Sequence, residues 1–171
     1  VYLPDVATTL NNLANLHADK NESGRAEDEY SEALTLCRDL ANANLSVYLP
    51  DVMMTLNNLA NLHANKKEFE RAEDEYSEAL TLCRDLAKSN PAVYFPKVAT
   101  TLNNLAALHK AKNEFGRAED EYSEALTIRR DLAKTTPSVY LPDVAMTLNN
   151  LAILHADKNG FGRAEDEYSE A

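Results

Sequence analysis

Four histidines recur at one place in the chain. His17, His63, His109 and His155 are each 46 residues apart. An imidazole can ligate a metal or carry a proton near neutral pH. Every copy also contains the run "EDEYSE", first at Glu27–Glu32, whose carboxylates suit metal binding or acid–base work. Cys37 and Cys83 add thiols, and Asn11-Asn12, Asn57-Asn58, Asn103-Asn104 and Asn149-Asn150 place amides in pairs.

Most of this chemistry has a plainer explanation. A metal needs ligands that converge, and histidines a whole repeat apart do not. The expectation is four packed, metal-free histidines lining the interface between the two helices of each unit. "EDEYSE" reads as a solvated outer helix face. The cysteine position becomes Arg129 in the third copy, so it is no fixed disulfide or metal site. Buried-edge thiols of this kind fit a reducing compartment, and a cytoplasmic location is expected. The sequence offers no Ser/His or Cys/His set, no paired catalytic carboxylates and no glycine-rich phosphate loop. An enzyme is not expected, nor a cofactor.

The charge balance narrows the partners. Against 28 acidic side chains stand 17 basic ones, a formal charge of −11. Such a surface repels phosphate backbones and anionic lipid, which argues against nucleic acid and membrane. No apolar run reaches membrane length. The chain starts without Met, with no signal peptide before Val1, and stops in mid-motif at Ala171, so it reads as a piece of a longer protein.

The elements that position these residues follow from the repeat. "VYLPDVATTLNNLANLH" returns from Val47, Val93 and Val139 with few changes. The expected units are 1–46, 47–92, 93–138 and a shortened 139–171, stacked as one array. In the first unit a helix starts at Pro4, where a missing N–H costs nothing. Val6, Leu10, Leu13, Ala14 and His17 mark its buried stripe. It stops near Lys20-Asn21, because Asn tolerates the left-handed C′ conformation; Asn113 and Asn159 repeat the device and Lys67 breaks it. A second helix runs from Ser23 to Ala41 with Ala26, Tyr30, Ala33, Leu34, Cys37, Leu40 and Ala41 inward, and Arg25 pairs with Glu29. Pro91 and Pro137 read as helix stops. Tyr2, Tyr48, Tyr94 and Tyr140 are expected to tuck into the joints between units.

Ala26, Tyr30 and Ala33 stand at small, aromatic and small positions. So do Ala72, Tyr76 and Ala79, then Ala118, Tyr122 and Ala125, then Ala164, Tyr168 and Ala171. With Leu10, Leu13 and Ala14 before them, and Phe69, Phe115 and Phe161 opening later second helices, the unit resembles the tetratricopeptide repeat. The ordinary repeat has about 34 residues. The longer unit here, with "PDVATTLNNLA" and "ALTIRRDL", is similar to the kinesin light chain type. The resemblance implies an all-α fold: an α-solenoid of antiparallel helix pairs wound as a right-handed superhelix, with the first helices lining a concave groove.

The same resemblance implies a non-catalytic scaffold that holds an extended peptide or a helix of a partner protein. The groove candidates are Asn11, Asn12, Asn15, Met54, Asn57, Asn58, Asn61, Asn103, Asn104, Lys110, Met146, Asn149 and Asn150. An amide row can grip peptide N–H and C=O groups without reading side chains. One Asn of each pair bonding the neighbouring repeat is the competing reading. Met54, Met146 and Ile153 are apolar subsites or contacts between adjacent first helices. With Lys110 as the one basic candidate on this face, a clamp for a peptide carboxylate or an acid-rich peptide is not expected. The alternative function is a spacer that self-associates head to tail and positions other domains.

Overall fold

Eight helices make up the described residues, which are 2–158 and 161–171 of the computed structural model. They are α1 Leu3–Asp19, α2 Ser23–Ala43, α3 Leu45–Asn65, α4 Phe69–Ser89, α5 Pro91–Ala111, α6 Phe115–Thr135, α7 Pro137–Asp157 and α8 Phe161–Glu170. Asn159 and the Phe161 side chain lie outside the described residues. Two compact units divide the chain, Val1–Cys83 and Arg84–Ala171. In the first, α2 packs on α1 and α3; in the second, α6 packs on α5 and α7, and α8 on α7.

The expected inward stripe of the second helix is largely kept in α2, where Leu40 is half-buried, whereas Tyr168 of α8 is 49% exposed. Ala26 and Ala33 are fully buried, with Tyr30, Leu34, Cys37 and Ala41 beside them. The alanines let the paired helix approach closely, and the tyrosine fills the space that remains. The stripe of the first helices holds best in α3, α5 and α7. Leu59, Leu105 and Leu151 are 3–4% exposed, whereas Leu13 is 38% exposed, and α1 buries Ala7, Asn11, Ala14 and His17 instead. Both cysteines are buried. At their position in the third copy, Arg129 is buried and donates to the Asp143 carbonyl at 3.1 Å and to the Thr147 hydroxyl.

Helix starts differ from expectation. The structure takes the "VYLP" lead-in into α3, α5 and α7, so Pro50, Pro96 and Pro142 sit inside helices. Each lacks the N–H that would bond the carbonyl four residues back. Those carbonyls belong to exposed Ser46, Ala92 and Ser138, where water can serve. Pro91 and Pro137 each take the first helical position, where the fixed φ is compatible. A single extended residue, Asn44, Asn90 or Thr136, breaks one helix from the next. The tyrosines follow their expectation in part: Tyr140 packs against the core around Tyr122, Leu126 and Leu148, but Tyr2 is 65% exposed.

The turn inside each hairpin is built on a left-handed residue. Asn21, Lys67 and Asn113 have φ of 60°, 63° and 61°. In the first turn Asn21 N–H bonds the Ala18 carbonyl and Glu22 N–H bonds the His17 carbonyl, at 2.9 and 2.8 Å. These two bonds satisfy the last helical carbonyls. The backbone pattern survives the loss of Asn in the second copy: Lys67 N–H bonds Ala64 and Glu68 N–H bonds His63 at 3.0 and 2.9 Å. Lys67 therefore bears a conformation that side chains with a bulky Cβ substituent avoid. Lys67→Asn is expected to stabilise the protein by about 0.5–1 kcal/mol, read as a higher urea midpoint at unchanged slope.

Candidate functional site

The paired asparagines first join neighbouring repeats. Asn58 Nδ2 donates to Asn11 Oδ1 at 3.2 Å, and Asn150 Nδ2 donates to Asn103 Oδ1 at 3.1 Å. The second Asn of one copy thus reaches the first Asn of the copy before. Asn11 and Asn103 are buried by this contact and turn no free amide outward. Asn57 Nδ2 bonds the Met53 carbonyl at 3.0 Å, within its own helix.

The remaining candidates are more open. Asn12, Asn15, Asn61 and Asn149 are exposed, and Asn58, Asn104 and Asn150 are half-buried. Met54 and Met146 are 40% and 45% exposed. Lys110 is half-buried and pairs with Asp157 at 3.0 Å. Asn15 and Asn61 each accept the hydroxyl of the repeat's buried tyrosine, Tyr30 or Tyr76, at 2.5 Å. That bond fixes the amide's oxygen, while both asparagines stay exposed. In the first unit a polar hollow of about 230 Å³ brings Asn15, Asn58, Asn61 and Asn65 together with Asp19 and the Tyr30 ring.

The histidines line each hairpin, yet their setting is ionic. His17 Nδ1 donates to Glu29 at 2.6 Å, and His63, His109 and His155 donate to Glu75, Glu121 and Glu167 at 2.7 Å. The run read as a solvated face thus turns one carboxylate inward per copy. Arg25 pairs with Glu22 at 2.9 Å instead of Glu29, because Glu29 is taken by the imidazole. A second carboxylate of the run bridges repeats. Glu27 lies 3.4 Å from His63 Nε2, 2.5 Å from Lys66 and 2.8 Å from Arg71. Glu119 repeats the pattern with His155 at 3.2 Å, Lys158 at 2.5 Å and Arg163 at 2.8 Å.

The signal for these pairs was present in the sequence. A Glu follows every His by 12 residues. Comparing histidine only with histidine hides it. The three-dimensional contacts also bring Glu27, His63 and Glu68 within ligand distance of one another.

Comparison with known proteins fits this architecture. Two sequence profiles described as tetratricopeptide repeat match residues 6–44 and 51–131. The chain belongs to the tetratricopeptide repeat family. BtubC (BKLC) from P. vanneervenii is similar at 27% identity and TM-score 0.76, over 95% of this chain and 60% of that one. A Podosopora anserina protein of nearly identical TPR-like repeats, of kinesin light chain type, gives 15% and 0.72, over 94% and 70%. The apo form of RapI gives 15% and 0.80, over 99% and 42%. Among curated proteins none matches. This chain therefore spans less than two thirds of BtubC and of RapI. Among the described residues no helix of this tetratricopeptide array is long and apolar enough to cross a membrane.

The ion clusters give the repeat an acid dependence. The Lys66 ammonium, helped by Arg71 and His63, holds the Glu27 carboxyl down at about 2, against an ordinary 4.5. Lys158, with His155 and Arg163, does the same for Glu119, also to about 2. Burial moves Glu75 the other way, upward. A folded value below the unfolded one means that the unfolded chain binds more protons between the two. Glu27 and Glu119 therefore contribute full stability above about 4.5, which is lost as the pH falls toward about 2. Urea midpoints measured from pH 6 to pH 3 are expected to fall, and less steeply in Glu27→Gln combined with Glu119→Gln.

Proposed function

We propose that the protein is a non-catalytic interaction scaffold whose first-helix face holds an extended peptide or a helix of a partner protein. The tetratricopeptide fold supports the general role, because its repeats present one helix of every pair for binding. The observation that carries the finer reading is the polar hollow in the first unit. There Asn15 and Asn61 have their oxygens held by tyrosine hydroxyls, with Asn58 alongside. Amides fixed in this way lose little freedom when they bond a peptide backbone. Asn12 adds a further exposed amide in the first repeat, Asn104, Asn149 and Asn150 are the corresponding open amides of the third and fourth, and Met54 and Met146 supply exposed apolar contacts. Asn11 and Asn103 act as buried supports, and Lys110 is engaged by Asp157. The four units 1–46, 47–92, 93–138 and 139–171 serve as one array in this reading.

A second reading is favoured by α1. Leu13 and Leu16 are 38% and 47% exposed, while their counterparts Leu59 and Leu62 are 4% and 6% exposed. Such a surface fits head-to-tail association of a spacer or assembly module. Peptide display on the whole chain separates the two readings. A selected peptide is expected to lose about fivefold in affinity for each of Asn12→Ala and Asn61→Ala, roughly 1 kcal/mol per neutral hydrogen bond, with melting temperature checked in parallel. Equal affinity in folded variants refutes the amide face. Concentration-dependent sedimentation abolished by Leu13→Glu supports the spacer.

A further inference from the structure

The cluster around His63 has ligand geometry that the scaffold role does not use. His63 is fully buried, and its Nδ1 is committed to Glu75 at 2.7 Å. Among the described residues no group completes a hydrogen bond to its Nε2. Two carboxylate oxygens lie near that nitrogen: Glu27 Oε1 at 3.4 Å and Glu68 Oε2 at 3.9 Å. All three atoms lie within 4.8 Å of one another. Zinc bonds of about 2.0–2.2 Å in a tetrahedron put ligand atoms roughly 3.3–3.5 Å apart. The 3.4 Å between His63 and Glu27 matches that spacing, and the 3.9 Å to Glu68 exceeds it slightly.

The surroundings supply the rest of such a site. A carboxylate on the far nitrogen fixes the tautomer and aims the lone pair of a metal-binding imidazole, and Glu75 occupies that place. Glu68 is anchored by its own N–H on the His63 carbonyl at 2.9 Å, through the left-handed turn at Lys67. Lys66 holds the other oxygens, Glu27 Oε2 at 2.5 Å and Glu68 Oε1 at 2.7 Å, so it orients both carboxylates without covering the ligand atoms. The competing cation is Arg71. Its Nη1 lies 2.8 Å from both Glu27 Oε1 and Glu68 Oε2, where a metal would stand. The Arg71 side chain is 53% exposed and can swing into solvent.

We propose that Glu27, His63 and Glu68 form a zinc site, with one oxygen of each carboxylate and the imidazole Nε2 as ligands and water in the fourth position. Arg71 acts as a resident counter-cation that zinc displaces. Because Glu27 comes from one repeat and His63 and Glu68 from the next, the ion ties adjacent repeats together. The groove reading plays no part in this site.

Zinc chloride is titrated into the untagged whole chain in competition with a chromophoric chelator, with the visible spectrum of the cobalt-loaded protein as a second readout. His63→Asn is expected to lose one zinc equivalent per chain together with the tetrahedral cobalt bands. Glu68→Gln, on the turn, is expected to weaken zinc about tenfold or more while the zinc-free protein stays folded, and Arg71→Gln to tighten it by about as much. Should His63→Asn not fold, the Glu68 and Arg71 variants decide the matter. Wild type and Arg71→Gln binding zinc no better than Glu68→Gln overturns the proposal.

Discussion

Each hairpin closes around one buried imidazole. The histidine sits on the first helix, and its Nδ1 reaches a carboxylate on the second at 2.6–2.7 Å in all four copies. A buried polar group is tolerated only when it is paired, and a bond of this kind is stronger in the low dielectric of a core. The pair therefore sets the rotation and axial register of the two helices. An apolar contact of similar area would permit sliding, whereas this one loses its partner if either helix shifts by a residue. The fully buried alanines beside it make the approach close enough, and the left-handed turn brings the chain back within reach.

The joint between the first two repeats uses a related device, and so does the joint between the last two. An Asn from one first helix donates to an Asn from the preceding one, and on the other side a Glu of the earlier repeat meets the histidine and two cations of the later one. Asparagine is a poor helix former because its amide competes for backbone partners. The cost is offset where the amide finds a fixed partner outside its helix, which accounts for one asparagine of each pair: Asn11, Asn58, Asn103 and Asn150. In the scaffold reading proposed above, the amides that the joints do not consume are the ones left to meet a partner. Asn15 and Asn61, held by tyrosine hydroxyls, are joined to the scaffold yet still offer donors.

Much of the fold was legible because the repeat writes it four times. The 46-residue period, the small–aromatic–small spacing and the left-handed Asn gave helix pairs, their inward faces and their turns. Lys67 kept the turn because its two backbone bonds outweigh the strain on a single residue. The helices α3, α5 and α7 start at Leu45, Pro91 and Pro137, several residues before the prolines that the sequence marks as starts, since a proline inside a helix is tolerated where the carbonyl it strands faces water. The candidate site was half legible. Exposed Asn12 and Asn61 lay where helical periodicity put them, but nothing local distinguishes them from buried Asn11 and Asn103.

Sequence by itself determined the class, the period and the residues that face inward, because these depend on neighbours three to four positions apart or on copies 46 positions apart. Tertiary structure decided which polar groups meet. Glu27 and His63 are separated by most of a repeat, and Asn11 and Asn58 by 47 residues. Whether such groups touch depends on the angle and offset at which one hairpin settles on the next. That offset is the joint result of many side-chain contacts, and no spacing along the chain encodes it.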